Sequence, residues 1–188
     1  MTDTMMIDLH PEAKRVLDFW FVEHGPKQWW AGGGAFDVAV RLNFADTLRA
    51  AERCETADWR RHPRGRVAEI MVLDQFSRQL YRRSGRAFAN DALALALAQE
   101  AVAMGIKDLV SEDEYKFVLM PYMHSESLLI HDEAMVLYSV LDADTFDFER
   151  RHRDVIERFG RYPKRNAALA RVSSAAELAY INDSDSMF

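Results

Sequence analysis

Residues 66–88, RVAEIMVLDQFSRQLYRRSGRAF, decide how the fold is read. At helical period the stretch is apolar nearly all the way round, through Val67, Ile70, Met71, Val72, Leu73, Phe76, Leu80 and Tyr81. A helix without a polar face belongs in the middle of a domain, with other helices packed around it. This one nevertheless carries Asp74, Gln75 and Arg78, and Arg82, Arg83 and Arg86 follow just beyond. Buried charge is costly unless it is paired and hydrogen-bonded, so distant parts of the chain must supply partners. The candidates are His124, Glu126, His152 and the arginines of RFGRYPKRN at 158–166.

Outward from this helix, proline and glycine fall where a helical protein places its boundaries. The intervening segments have period 3.6, and β-branched runs are scarce. The expected fold is all-α: a single-domain helical bundle over residues 1–188, with about 8 to 10 helices and frayed ends at 1–10 and 182–188. Helices are predicted from Pro11 to about Glu23, from Phe36 to Glu55, and through the organising stretch to about Arg83. The next runs from a cap at Asn90 or Asp91 to Met104 and is closed by Gly105. Ser111 opens a short helix that Pro121 ends, and a longer one follows over about 122–141. The last long helix covers about 145–159, with one or two short helices to Tyr180. Trp29 and Trp30 are expected to seal the core edge in preference to lining a cleft.

Composition narrows the function classes. A 188-residue chain that is 49% hydrophobic can build a full core. It has no run of 18 apolar residues, which argues against a membrane span. The opening MTDTMMIDLHPEAK lacks a basic region followed by an apolar core, so no export signal is expected. One cysteine, Cys54, rules out an internal disulfide and a cysteine metal cluster. These features point to the cytoplasm. A net charge of −6 disfavours nucleic acid. Yet the basic residues are 19 arginines and only five lysines. Arginine suits bidentate pairing with carboxylate or phosphate, inside the protein or on a ligand.

Asp74 and Arg78, four apart, share a helical face and can pair. His124 and Glu126 are expected in the first turn of the 122–141 helix, with His131 on the same face as His124. H-x-E with a distant histidine is a poor metal signature, so no metal is assigned. His152 lies on the apolar stripe of Phe148, Val155 and Phe159, where a histidine is usually a satisfied core residue. A nearby carboxylate would turn it toward acid–base use. Arg158, Arg161, Lys164 and Arg165 crowd around Gly160 and Pro163, so anions must lie among them, from the chain or from a ligand. A helix start near Asn166 would add backbone amides. QFSRQLYRR at 75–83 and RFGRYPKRN both contain F-x-R-x-x-x-R. No nucleophile elbow, phosphate loop, dinucleotide fingerprint or H-E-x-x-H occurs, and no cofactor is called for.

Five motifs occur in order: VLDFWF at 16–21, LDQFSRQLYR at 73–82, RAFANDALALALA at 86–98, MPYMHSE at 120–126 and RFGRYPKRN at 158–166. Together they resemble the bacterial family catalogued as domain of unknown function 924. The resemblance implies an all-helical fold similar to tetratricopeptide-repeat superhelices, with no established activity. The family's motifs read LDQFPRN-x-YR, HSED-x-x-x-Q and RFGRFPHRN. Here Ser77 and Gln79 depart from the first, Ser127 and His131 from the second, and Lys164 from the third. What carries over is Asp74, Gln75, Arg78, His124, Glu126, Arg161, Arg165 and Asn166; histidine chemistry at 164 does not.

The leading expectation is a polar pocket for a small anionic metabolite. Its ligand contacts would come from Asp74, Gln75, Arg78, Arg82, Arg86, Arg158, Arg161, Arg165 and Asn166, with Asp74 and Glu126 orienting the arginines. His124, His152 and Glu126 are the candidates for proton transfer. The alternative is a helical-repeat module that binds a protein or peptide, with the same residues as structural ties. A weaker third reading is a metal-dependent hydrolase using His124, Glu126 and His152.

Overall fold

The organising stretch folds as one long helical run with a wide turn in its middle. In a computed structural model we describe residues 8–31, 33–186 and 188, and only the backbone of 30 and 31. The run comprises α4 (Pro63–Met71), a π-helical turn (Val72–Phe76) and α5 (Ser77–Leu80). Val67, Ala68, Met71, Val72, Leu73 and Phe76 are all fully buried. Each large side chain removed from water contributes roughly 1.5–3 kcal/mol, which favours placing such a helix at the centre. Around it pack α1 (Pro11–Leu17), α3 (Ala35–Glu52), α6 (Asp91–Ala103) and α7 (Glu112–Met123).

The chain enters α1 at Pro11, with the His10 ring nitrogen accepting the Glu12 amide at 3.2 Å. A second π turn, Asp18–Val22, continues α1 and turns Phe19 and Trp20 inward. Trp20 is fully buried; it stacks on Trp29 at 5.7 Å and meets the edge of Phe117 at 5.5 Å. Trp29 belongs to α2 (Pro26–Ala31), and its indole N–H donates to the Trp20 carbonyl at 2.9 Å. It packs against the core cluster from a half-buried position. The side chain of Trp30 lies outside the described residues.

Within α4 the buried carboxylate of Glu69 accepts Arg60 at 2.6 and 2.8 Å and the Thr56 hydroxyl at 2.7 Å. That set of donors is what lets a charge sit in the core. α6 presents Ala94, Ala98 and Ala101 as a thin face toward α4 and α7. Ser111 and Glu114 form a reciprocal capping box at the start of α7.

Two expected boundaries are wrong: no helix starts near Asn166, where the chain makes turns and the next helix begins only at Ala175, and Pro121 does not end a helix. Pro121 lies inside α7, which runs on to Met123, and the break falls at 124–127 before α8 (Leu128–Tyr138). Val118, Leu119, Tyr122 and Met123 are buried on both sides of the proline. Packing around that turn outweighs the hydrogen bond the proline cannot make. His124 is therefore the C-terminal cap of α7 and Glu126 a loop residue, so neither lies in a first helical turn.

α9 (Ala143–Phe159) starts at an Asp142 cap and ends at Gly160, whose left-handed φ of 67° closes the helix. The chain then turns back through a 3₁₀ turn, Pro163–Arg165, to α10 (Ala175–Asn182). Tyr162 pins this return by donating its hydroxyl to the Met123 carbonyl at 2.6 Å and its amide to Glu126 at 2.8 Å. Beyond α10, Lys164 donates to the Ser186 carbonyl and Phe188 stacks on His152 at 3.5 Å, so these described end residues lie against the domain. Among the described residues there is no strand, and no helix is long and apolar enough to cross a membrane.

Candidate functional site: an arginine-lined cleft

The π turn is where chemistry enters the core. It carries Asp74, 1% exposed, out of the apolar stripe and toward the end of α7. There the carboxylate meets His124 Nδ1 at 2.7 Å, Arg78 at 3.0 Å and the Gln75 amide at 2.6 Å. Burial alone would raise this carboxyl. The Arg78 charge and His124 more than offset it, and Asp74 is held well below the ordinary carboxylate range.

Arg78 also forks onto Asp91 at 3.0 and 3.1 Å, and Arg165 reaches the same carboxylate at 3.3 Å. Two arginines, one from the central run and one from the C-terminal return, thus share one acid at the start of α6. Arg165 is sandwiched between Tyr162 and Phe88, 4.4 and 4.8 Å from the ring centres. Burial and the like charge of Arg78 lower its pKa.

Above these groups opens a cleft of about 320 Å³. Arg78, Arg82, Arg83 and Arg165 line it, with His124, His152, Tyr162, Phe88 and Phe188. Arg82 is held by Asp37 at 2.7 and 2.8 Å. Arg83 is exposed and has no carboxylate within ion-pair distance among the described residues. Its backbone sits at φ 65°, a conformation costly for a residue with a Cβ and one that recurs at functional sites.

Both cleft histidines are oriented by what Nδ1 meets. His124 Nδ1 faces the Asp74 carboxylate; His152 Nδ1 faces the Phe148 carbonyl at 2.8 Å. Each acceptor requires Nδ1 to carry the hydrogen, which leaves Nε2 with a lone pair in the neutral ring. Burial, then Arg78, lowers the pKa of His124, against the opposing pull of Asp74. Burial pushes His152 down to about 3. Neither Nε2 has a hydrogen-bond partner among the described residues.

The other expected site residues lie elsewhere. Arg161 pairs with Glu177 at 2.6 and 2.9 Å and donates to the Val172 carbonyl, away from the cleft wall. Arg158 covers Phe159 and lines a separate depression beside Tyr180. Arg86 lies over the Tyr81 ring at 3.7 Å. Asn166 is buried between Ser173, Glu177 and Arg171. Gln75 is also buried, between Asp74 and the Met120 sulfur. Glu126 does not orient the cleft arginines: its carboxylate takes Arg171 at 2.5 and 3.0 Å along with the Tyr162 amide. The sequence reading placed charge here but missed Asp91, Arg83, Phe88 and Tyr162. The repeated F-x-R-x-x-x-R was the available signal, since one arginine of each copy, Arg78 and Arg165, meets at Asp91.

His131 and His124 do not share a helical face. His131 is fully buried, with Nε2 on the Ser125 carbonyl at 2.9 Å and Nδ1 2.6 Å from Glu149. The carbonyl requires Nε2–H, so in the neutral ring Nδ1 accepts and Glu149 supplies the proton. Burial raises the Glu149 carboxyl, consistent with that assignment. Among the described residues, no three His, Cys, Asp or Glu side chains gather as a metal-ligand set.

The chain belongs to the bacterial protein family of unknown function 924, whose model matches residues 16–185. It is similar in structure to a protein of unknown function from Agrobacterium tumefaciens. The two are 34% identical with a TM-score of 0.88, over 93% of this chain and 99% of the other. No curated protein matches.

Proposed function

We propose that the cleft binds a small anionic ligand bearing phosphate or carboxylate. Arg78, Arg165 and Arg83 hold the anion, and His124 moves a proton to or from it. The observation that carries this reading is the balance of charge around the cleft. Asp74 and Asp91 neutralise Arg78 and Arg165 from below, Asp37 neutralises Arg82, and Arg83 is left as a cation facing open space. A site buried on one side and open on the other makes such a charge available to a ligand. The Asp74–His124 contact supports the proton-transfer role, because it fixes the ring and turns its basic nitrogen outward. The reading takes the protein to act in the cytoplasm, where Cys54 stays a thiol.

Titration calorimetry with inorganic phosphate and with citrate tests the proposal. Binding by the wild type, weakened about tenfold or more in Arg83→Ala, is expected, since an exposed arginine can be truncated without unfolding the core. No heat from either anion would end it.

A second reading, a helical module that binds another protein, draws support from exposed Leu129 and Val136 on α8 and Val140 just beyond it. It predicts that Val136→Asp changes association with a partner and leaves phosphate binding untouched.

A further inference from the structure

The cleft offers more than cations. Its arginines only donate hydrogen bonds, whereas a neutral imidazole nitrogen without a hydrogen only accepts one. His124 and His152 each commit Nδ1 to a fixed acceptor inside the protein, the Asp74 carboxylate at 2.7 Å and the Phe148 carbonyl at 2.8 Å. The rings line the same cleft as Arg78, Arg83 and Arg165. The ring geometry directs Nε2 away from those partners, and no described side chain or backbone group satisfies either atom. An anion entering here therefore meets arginine donors together with two imidazole acceptors.

We infer that the site selects an anion that also carries a hydrogen-bond donor, such as a protonated phosphate, a hydroxylated phosphate ester or a hydroxy acid, over an anion with acceptors alone. The inference rests on the anion-binding reading above and narrows its ligand class. A donor-free anion such as sulfate would set oxygen lone pairs against Nε2 and leave both groups unsatisfied, whereas phosphate near neutral pH retains at least one P–OH. One mismatched polar contact of this kind lowers affinity by about tenfold. Arg83, left without a carboxylate partner among the described residues while Arg78 and Arg165 are paired below, keeps the field cationic for either anion, so charge alone does not make the distinction.

The test is titration of the full chain with sodium phosphate and sodium sulfate at pH 7 and matched ionic strength. Wild type is expected to bind phosphate about tenfold or more tightly than sulfate. His124→Asn, whose amide can still donate to Asp74 but presents no Nε2 to the cleft, should narrow that ratio several-fold. Imidazole ¹⁵N resonances of the wild type give a reading independent of how the variant folds. Phosphate should shift the Nε2 signals of His124 and His152 as they accept a hydrogen bond, and sulfate should leave them in place. Equal affinity for the two anions, with Arg83→Ala weakening both, would overturn the donor selectivity while leaving the anion site standing. Failure of both anions to bind would overturn the selectivity and the anion site together.

Discussion

Asp74 is the residue on which the interior polar network turns. Three donors, from Arg78, His124 and Gln75, converge on a carboxylate that water does not reach. Removing one member of such a set strands the others. Asp74→Ala should lower unfolding free energy by about 3 kcal/mol in denaturant melts, since Asp91 still holds Arg78. Because the folded carboxyl is held below its ordinary value, its stabilisation is present above the usual carboxylate range and lost as pH falls through it. Between about pH 5 and pH 2.5, wild type should lose more stability than Asp74→Ala. His152 sets a second window. Its folded pKa is pushed down to about 3, so the unfolded chain takes up the proton first as pH drops. Stability should fall from about pH 6.5 toward pH 3, and His152→Phe should flatten that slope in urea midpoints measured across the range. The acid partners of these residues were only partly legible beforehand. Asp74–Arg78 follows from spacing along one helix, whereas Asp91 was read only as a helix cap, since nothing local to it announces an arginine from residue 165.

At the scale of elements, the central run shows how local periodicity and packing share the decision. Its apolar circumference set it at the centre, as expected. The π turn, which widens the helix by one residue and carries Asp74 and Gln75 toward α7, has no signature in a period count. The Ser77 hydroxyl, at the start of α5, donates back to the Leu73 carbonyl of that turn at 2.6 Å. The entrance to α4 is fixed by contact. Gly65 lies so close to the Trp59 carbonyl that a Cβ would collide with backbone, which cannot step aside as a side chain could. Gly65→Ala should therefore destabilise by about 1–3 kcal/mol through overpacking, seen as a lower Tm, although alanine is the better helix former. Pro121 is the opposite case: a strong local signal for a boundary, overridden because both neighbouring turns are buried.

Across the whole molecule, the return of the chain after α9 completes the cleft. Arg165 and Tyr162 come from that return, while Arg78 and Arg83 come from the centre. Two clamps hold the return in place, Glu126 with Arg171 and Arg161 with Glu177. Arg161 is partly exposed, so screening reduces what its pair contributes. Arg161→Ala should raise amide exchange in residues 161–182 and leave global stability little changed. It should leave phosphate affinity unchanged, which separates a clamp residue from a cleft residue. Faster exchange confined to this segment would support the assignment; a large loss of phosphate affinity would contradict it.

Period, composition and capping residues determined that this protein is helical, that residues 66–80 occupy its middle, and that buried acids and arginines must meet. Those properties are written locally, in which side chains recur on a face and where the backbone can start or stop a helix. Only the tertiary structure decided which charges meet. It gave Arg78 and Arg165 to Asp91, Arg161 to Glu177 and Arg171 to Glu126. Ion pairs between separate elements depend on how helices pack and where the chain folds back, and side chains four apart cannot report that.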